Sequence, residues 1–159
     1  VKHLPKHLRP RWRYFAVGIE TWPDADLGRR GFQRALWYAA GNLLGDAGSA
    51  DADLTLLSFS HDGGEGEAIV RARHGHVDDA RATIACVSEV DDEPVGVRVR
   101  GISGTVRACE ERYMGRAGGS STQRDVAFEG AERSAVVRED AYDVWTGSAY
   151  VGAAAFDTE

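Results

Sequence analysis

The stretch DADLTLLSFSHDGGEGEAIVRARHG, Asp51 to Gly75, decides how this chain is built. DADLTLLSFS reads as a strand, HDGGEGE as a glycine-rich turn and AIVRARHG as the returning strand, which together predict a β-hairpin. Downstream, HVDDARATIACVSEV places Val77, Ala80, Ile84 and Val87 along one stripe at helical spacing. Asp78 and Asp79 fall in its first turn, where the helix dipole favours acids. DDEPVGVRVRGIS then alternates Val95, Val97 and Val99 with Gly96, Arg98 and Arg100, the period of a strand.

Upstream, WRYFAVGIE alternates Phe15, Val17 and Ile19 with Tyr14, Ala16 and Gly18 and predicts a first strand. TWPDAD follows as a turn and helix start with Asp24 as N-cap. GFQRALWYAAGNLL then repeats Phe32, Leu36, Ala39 and Leu43 in an amphipathic helix that is expected to stop near Gly45 or Gly48. After the fourth strand, SGTVRACEERYM turns helical and aligns Val106, Cys109 and Tyr113. The order β-α-β-β-α-β plus an extra helix is the split βαβ pattern, so the fold class is α+β, ferredoxin-like or RNA-recognition-type. The expected division is a basic arm over residues 1–13, a folded domain over 12–116, and a linker with an acidic tail over 117–159. In that tail DVAFEG and VWTGSAYVGAAAF could each add a short strand, and GRAGGSSTQRD reads as the flexible linker.

Charge is distributed unevenly. The chain has 159 residues and a formal charge of −6, yet Lys2, Lys6, Arg9, Arg11 and Arg13 crowd its start and no acid precedes Glu20. Without that arm, 14 basic side chains face 25 acidic ones. Lys2 and Lys6 are the only lysines, and lysine scarcity beside abundant acid resembles proteins of salt-loving microbes, in which an acidic surface maintains solubility. Cys86 and Cys109 lie 23 residues apart without zinc-ligand spacing and read as reduced thiols. No apolar run approaches the roughly 18 residues of a membrane span, and no signal-type segment is evident, so a cytoplasmic location without membrane association is expected.

Strand alternation places Tyr14, Arg71, Arg73, Arg98 and Arg100 on the sheet face away from the helices. Arginines around an aromatic ring beside a basic arm suit phosphate contact and base stacking, although strand arginines are also commonly just solvated. The aromatics of standard RNA-recognition strands are missing from AIVRARHG. The histidines His3, His7, His61, His74 and His76 have no metal or triad partner in the sequence. The acid pairs Asp78/Asp79, Asp91/Asp92 and Glu110/Glu111 read as surface charge. No catalytic constellation and no metal site can be assembled.

RPRWRYFAVGIE and VRVRGISGTVRACEERY resemble the corresponding segments of the archaeal and eukaryotic ribonuclease P protein component 2 family, with a basic run into an R-Y strand and a strand followed by G-T-[IV]-[RK]-x-C opening a helix. The likeness covers about residues 2 to 116. It implies a subunit of ribonuclease P, the ribonucleoprotein that removes the 5′ leader of precursor tRNA. The ribonuclease P RNA then carries catalysis and the Mg2+ ions, this chain binds no cofactor, and a TIM-barrel-type component 3 is its protein partner. On that reading the RNA contacts are Lys2, Lys6, Arg9, Arg11, Arg13, Tyr14, Arg107 and Arg112, with Arg71, Arg73, Arg98 and Arg100 as a secondary sheet-face set. Trp12 or Tyr14 adds stacking. The extra helix is expected to cover part of the sheet face, which favours the arm. Two other classes remain open: a ferredoxin-like domain that senses a small molecule at HDGGEGE, and a stand-alone nuclease.

Overall fold

Phe15, Val17 and Ile19 of β1 (Trp12–Glu20) are fully buried on one face of a four-stranded sheet, and Ala16 is buried on the other. The computed structural model describes residues 4–115, 122–138 and 141–158. Lys2 and His3 of the arm and most of the expected linker lie outside the described residues.

The elements following β1 are α1 (Arg29–Ala52), β2 (Thr55–Asp62), β3 (Glu65–Arg73) and α2 (Val77–Ala85). A small hairpin of β4 (Glu89–Val90) and β5 (Glu93–Pro94) leads to β6 (Gly96–Ser103) and α3 (Val106–Tyr113). The sheet order is β2-β3-β1-β6, all antiparallel, so the first and third long strands are central as the split βαβ reading expects. Helices α1 and α2 cover one face through Phe32, Leu36, Ala80 and Ile84. The short α3 lies on the other face over Ala16 and Ile69.

Three details differ from the sequence reading. α1 begins at Arg29 with Gly28 as its cap, not at Asp24, because Trp22 to Ala25 closes a turn first (Ala25 N to Trp22 O, 3.0 Å). The helix also runs past Gly45, which has φ 74° and ψ 174° and kinks it without ending it; Asp53 in the left-handed region terminates it. The small β4–β5 hairpin was not anticipated, and Asp91 and Asp92 form its turn with positive φ.

The expected acidic tail is corrected in part: DVAFEG and VWTGSAYVGAAAF do contribute strands, as their sequences suggest, but those strands join a further strand in a sheet of their own. Its described residues form β7 (Thr122–Phe128), β8 (Ala131–Val137), β9 (Tyr142–Trp145) and β10 (Tyr150–Ala153), an antiparallel sheet in the order β10-β9-β8-β7. Glu129 and Gly130 adopt positive φ and supply a two-residue hairpin turn between β7 and β8. The core of this sheet is small: Val126, Ala135, Val144 and Ala153, flanked by Phe128 and Tyr142. It is held to the main sheet by Arg138, whose guanidinium donates to Thr21 O (3.1 Å) and to Asp143 (2.8 Å). Trp22 stacks on Tyr150 at 5.5 Å, and Trp145 packs on the same ring.

Candidate nucleic-acid interface

Antiparallel register determines which side chains meet. Trp12 pairs with Arg73, and Tyr14 pairs with both Arg71 and Ser103, so the start of β1 and the ends of β3 and β6 share one end of the sheet. The other end brings together Glu20, Glu65 and Gly96. The chain therefore has a basic end, at which the arm enters, and an acidic end, at which the second sheet docks.

At the basic end the Arg71 guanidinium lies 3.9 Å from the Trp12 ring centroid and that of Arg73 lies 5.3 Å away. Arg73 also approaches Asp53 at 3.7 Å. Arg13 Nη2 lies 3.2 Å from His74 Nε2, to which the guanidinium donates. His74 N in turn donates to Arg11 O at 2.9 Å and fixes the exit of the arm beside β3. Within the arm, Lys6 to Leu8 makes one 3-10 turn, and Arg9 Nε donates to Leu4 O at 2.8 Å. Lys6, Arg9 and Arg11 are exposed.

The G-T-V-R-x-C segment has a local explanation for each position. Gly104 lies so close to Arg13 that a Cβ there would sit 3.1 Å from Nη1. Thr105 caps α3, its hydroxyl accepting from Ala108 N at 3.1 Å. Val106 and Cys109 face the sheet, and Arg107 points outward, 87% exposed, with Nε 2.8 Å from Glu111. Arg112 is exposed on the same helix. Burial, aided by Glu110, raises the pKa of the Cys109 thiol. Cys109 is therefore a packing residue.

The sheet-face arginines do not form one patch. Arg71 and Arg73 join the basic end, but the register of β6 slips between Ala16 and Val17, and Arg100 is the extra residue of that bulge. Its side chain crosses Gly18 and pairs with Glu67 at 2.6 Å, with the two side chains 18% and 11% exposed. Arg100 also donates to Tyr113 O (3.4 Å), and Glu67 accepts from Gly115 N (3.1 Å), so this pair secures the end of α3. Gly101 lies under the Tyr113 ring, which would overlap any Cβ there. Arg98 is exposed on β6, an edge strand, away from the basic end. Tyr14 packs beneath α3 against Cys109, leaving Trp12 as the ring among the arginines. His74 belongs to the basic end and was missed, since nothing in HGH signals an arginine 61 residues away.

The glycine-rich HDGGEGE turn is closed. Gly64 is buried, its carbonyl accepts from Thr21 N at 2.8 Å, and a Cβ there would press on the Thr21 and Pro23 backbone. His61 Nε2 lies 2.8 Å from Thr21 Oγ1, whose own hydrogen goes to Trp22 O. Burial lowers the His61 pKa below its ordinary value, against smaller upward pulls from Asp26 and Asp62. Among the described residues no three His, Cys, Asp or Glu side chains converge as a metal ion would require.

The family model described as the Rpp14/Pop5 family matches residues 13–114, nearly all of the main sheet, its helices and α3. The chain belongs to the Rpp14/Pop5 family. Across its full length it is 99% identical to a protein of Halorubrum lacusprofundi named ribonuclease P protein component 2, with both chains covered completely. A protein of the same name from Haloarcula marismortui is 62% identical over 159 residues, 99% of each chain. Its counterpart in Methanosarcina mazei is 28% identical over 114 residues, 72% of this chain and 93% of that one. A chain in the cryo-EM structure of yeast ribonuclease MRP superposes with a TM-score of 0.47 at 19% identity, covering 63% of this chain and 79% of that one. The salt-adapted reading of the composition agrees with these haloarchaeal relatives. The second sheet lies outside the Rpp14/Pop5 match, yet the Haloarcula protein is long enough to share it.

Proposed function

We infer that this Rpp14/Pop5 family member is a protein subunit of ribonuclease P, acting in tRNA 5′-end processing as part of a ribonucleoprotein. The observation that carries the reading is the full-length identity to a ribonuclease P protein component 2, together with the family match over residues 13–114. In this reading the RNA of the complex performs the endonucleolytic cut and holds Mg2+, precursor tRNA is the substrate, and a TIM-barrel-type component 3 is a protein partner. The work takes place in the cytoplasm.

The chain's contribution is to grip folded RNA with its basic end and arm: Lys2, Lys6, Arg9, Arg11, Arg13, Arg107 and Arg112, with Arg71 and Arg73 beside Trp12. Physical chemistry favours arginine here. Phosphate binding driven by counterion release weakens linearly in log salt, and at about 1 M salt the Debye length is only about 3 Å. Short contacts survive best, and a planar guanidinium adds bidentate and stacked geometry that an ammonium lacks. Arg13, held beside Gly104 by His74, and Arg71, stacked on Trp12, are already ordered for such contacts.

The test is cleavage of precursor tRNA by the reconstituted complex at high salt. Removal of residues 1–11, or replacement of Arg11 and Arg13 by lysine, is expected to raise the protein concentration needed for activity. Undiminished cleavage with both variants would remove the arm from the mechanism.

A further inference from the structure

We propose that the cleft between α1 and the β4–β5 hairpin is the docking site for a second protein of the assembly, one that inserts an apolar side chain and flanks it with basic residues. The cleft encloses about 520 Å³ and is open along one side. Tyr38, Ala39, Leu43, Cys86 and Val87 supply its apolar lining, with Glu89, Asp91 and Asp92 along one rim.

Three observations lead to this assignment. Tyr38 is 74% exposed and Leu43 47% exposed, although Leu43 continues the stripe of Phe32, Leu36 and Ala39 that lies in the core. The apolar face of α1 thus runs on beyond what α2 and the hairpin cover, and a contiguous exposed apolar surface marks an interaction site. Secondly, the cleft is preformed. The hairpin turn lies against Gly31, where any Cβ would collide with the Asp91 carboxylate, and Arg34 ties to Asp91 at 2.9 Å. Both walls are therefore fixed before anything binds, so docking orders few groups.

The third observation is charge, which selects the occupant. The hairpin carries Glu89, Asp91, Asp92 and Glu93 in five residues, all exposed, and Arg34 of α1 pairs with Asp91. RNA is repelled by such a rim. A second copy of this chain in two-fold contact would set one acidic rim near the other. A partner bringing arginine or lysine beside its apolar anchor satisfies both the rim and the floor. Screening in concentrated salt leaves short pairs and apolar burial as the attractions that remain effective, and Tyr38 is the type of residue that dominates such contacts.

Cys86 provides the readout, since it is exposed in the cleft whereas Cys109 is buried. The experiment measures alkylation of Cys86 by N-ethylmaleimide in the free chain, with ribonuclease P RNA alone, and in the complete ribonucleoprotein, whose precursor-tRNA cleavage is assayed in parallel. Protection of about tenfold or more is expected in the complete particle only, because modification tracks the fraction of time the site is open. Reversing the rim with Glu89→Arg and Asp92→Arg should restore rapid alkylation while the purified free variant keeps its circular dichroism and melting temperature. Unchanged alkylation in an active particle overturns the docking site without touching the ribonuclease P reading. Protection by RNA alone, or in the concentrated free chain, overturns the choice of occupant, and so does full protection of the reversed-rim variant.

Discussion

Replacing Glu67 with glutamine removes one charge from the pair that holds α3 on the sheet. Arg100 keeps its positive charge beneath α3, 18% exposed, with no carboxylate at 2.6 Å to balance it. Removing one partner of a buried pair costs about 3–5 kcal/mol. Residual exposure, and an amide oxygen that can still accept from the Gly115 N–H, put the expected loss at the lower end, about 3 kcal/mol. For a chain of this length that lowers the melting temperature by about 6–12 °C. Because the pair is shielded, the loss should be nearly the same in dilute buffer and at about 1 M salt, unlike that of a surface pair. Melting followed by circular dichroism at both salts measures it, and hydrogen exchange at Tyr113 to Gly115 should accelerate first. The double replacement Glu67→Leu with Arg100→Met should regain most of the stability, since two apolar side chains leave no charge buried without a partner. A loss below about 1 kcal/mol at both salts, or a double variant no better than Glu67→Gln, would refute the claim that this pair secures α3.

Thr105→Ala removes the cap of α3 and is expected to cost about 1 kcal/mol in denaturant unfolding, with Thr105→Ser close to wild type. His61 introduces a pH dependence. Its pKa is lower folded than unfolded, so the unfolded chain binds the extra proton first and stability falls as pH drops below about 6.5 toward the folded pKa. Above that range its contribution is complete, and His61→Asn should flatten the slope between neutral and mildly acidic pH. Arg138→Ala should loosen the second sheet alone: hydrogen exchange rises across β7 to β10 while β1 to β6 keep their protection, because the lost contacts to Thr21 O and Asp143 lie at that junction.

The order of elements was legible because each long segment carries its own period. Phe15, Val17 and Ile19 alternate, Ala80 and Ile84 recur at helical spacing, and HDGGEGE marks the turn between two strands. The second sheet was legible only in part, since DVAFEG and VWTGSAYVGAAAF show strand character but neither β8 nor the joining of the strands into one sheet can be read from them. Val126, Ala135, Val144 and Ala153 are small and widely spaced apolar residues among acids, and strands with so little apolar payload resemble a solvated tail until their neighbours are known.

The arm, its arginines and the G-T-V-R-x-C helix start are properties of the sequence alone, since charge and capping chemistry are local. Which arginines can act together was decided by tertiary structure. Strand register brings Arg13, Arg71 and Arg73 to one end of the sheet, and a one-residue bulge turns Arg100 inward to Glu67. The acidic cleft beside α1 likewise exists only after the β4–β5 hairpin meets Gly31. The physical reason is that periodicity is written along the chain, whereas register and burial depend on partners tens of residues away, so one slipped residue can exchange a solvent-facing arginine for a buried one.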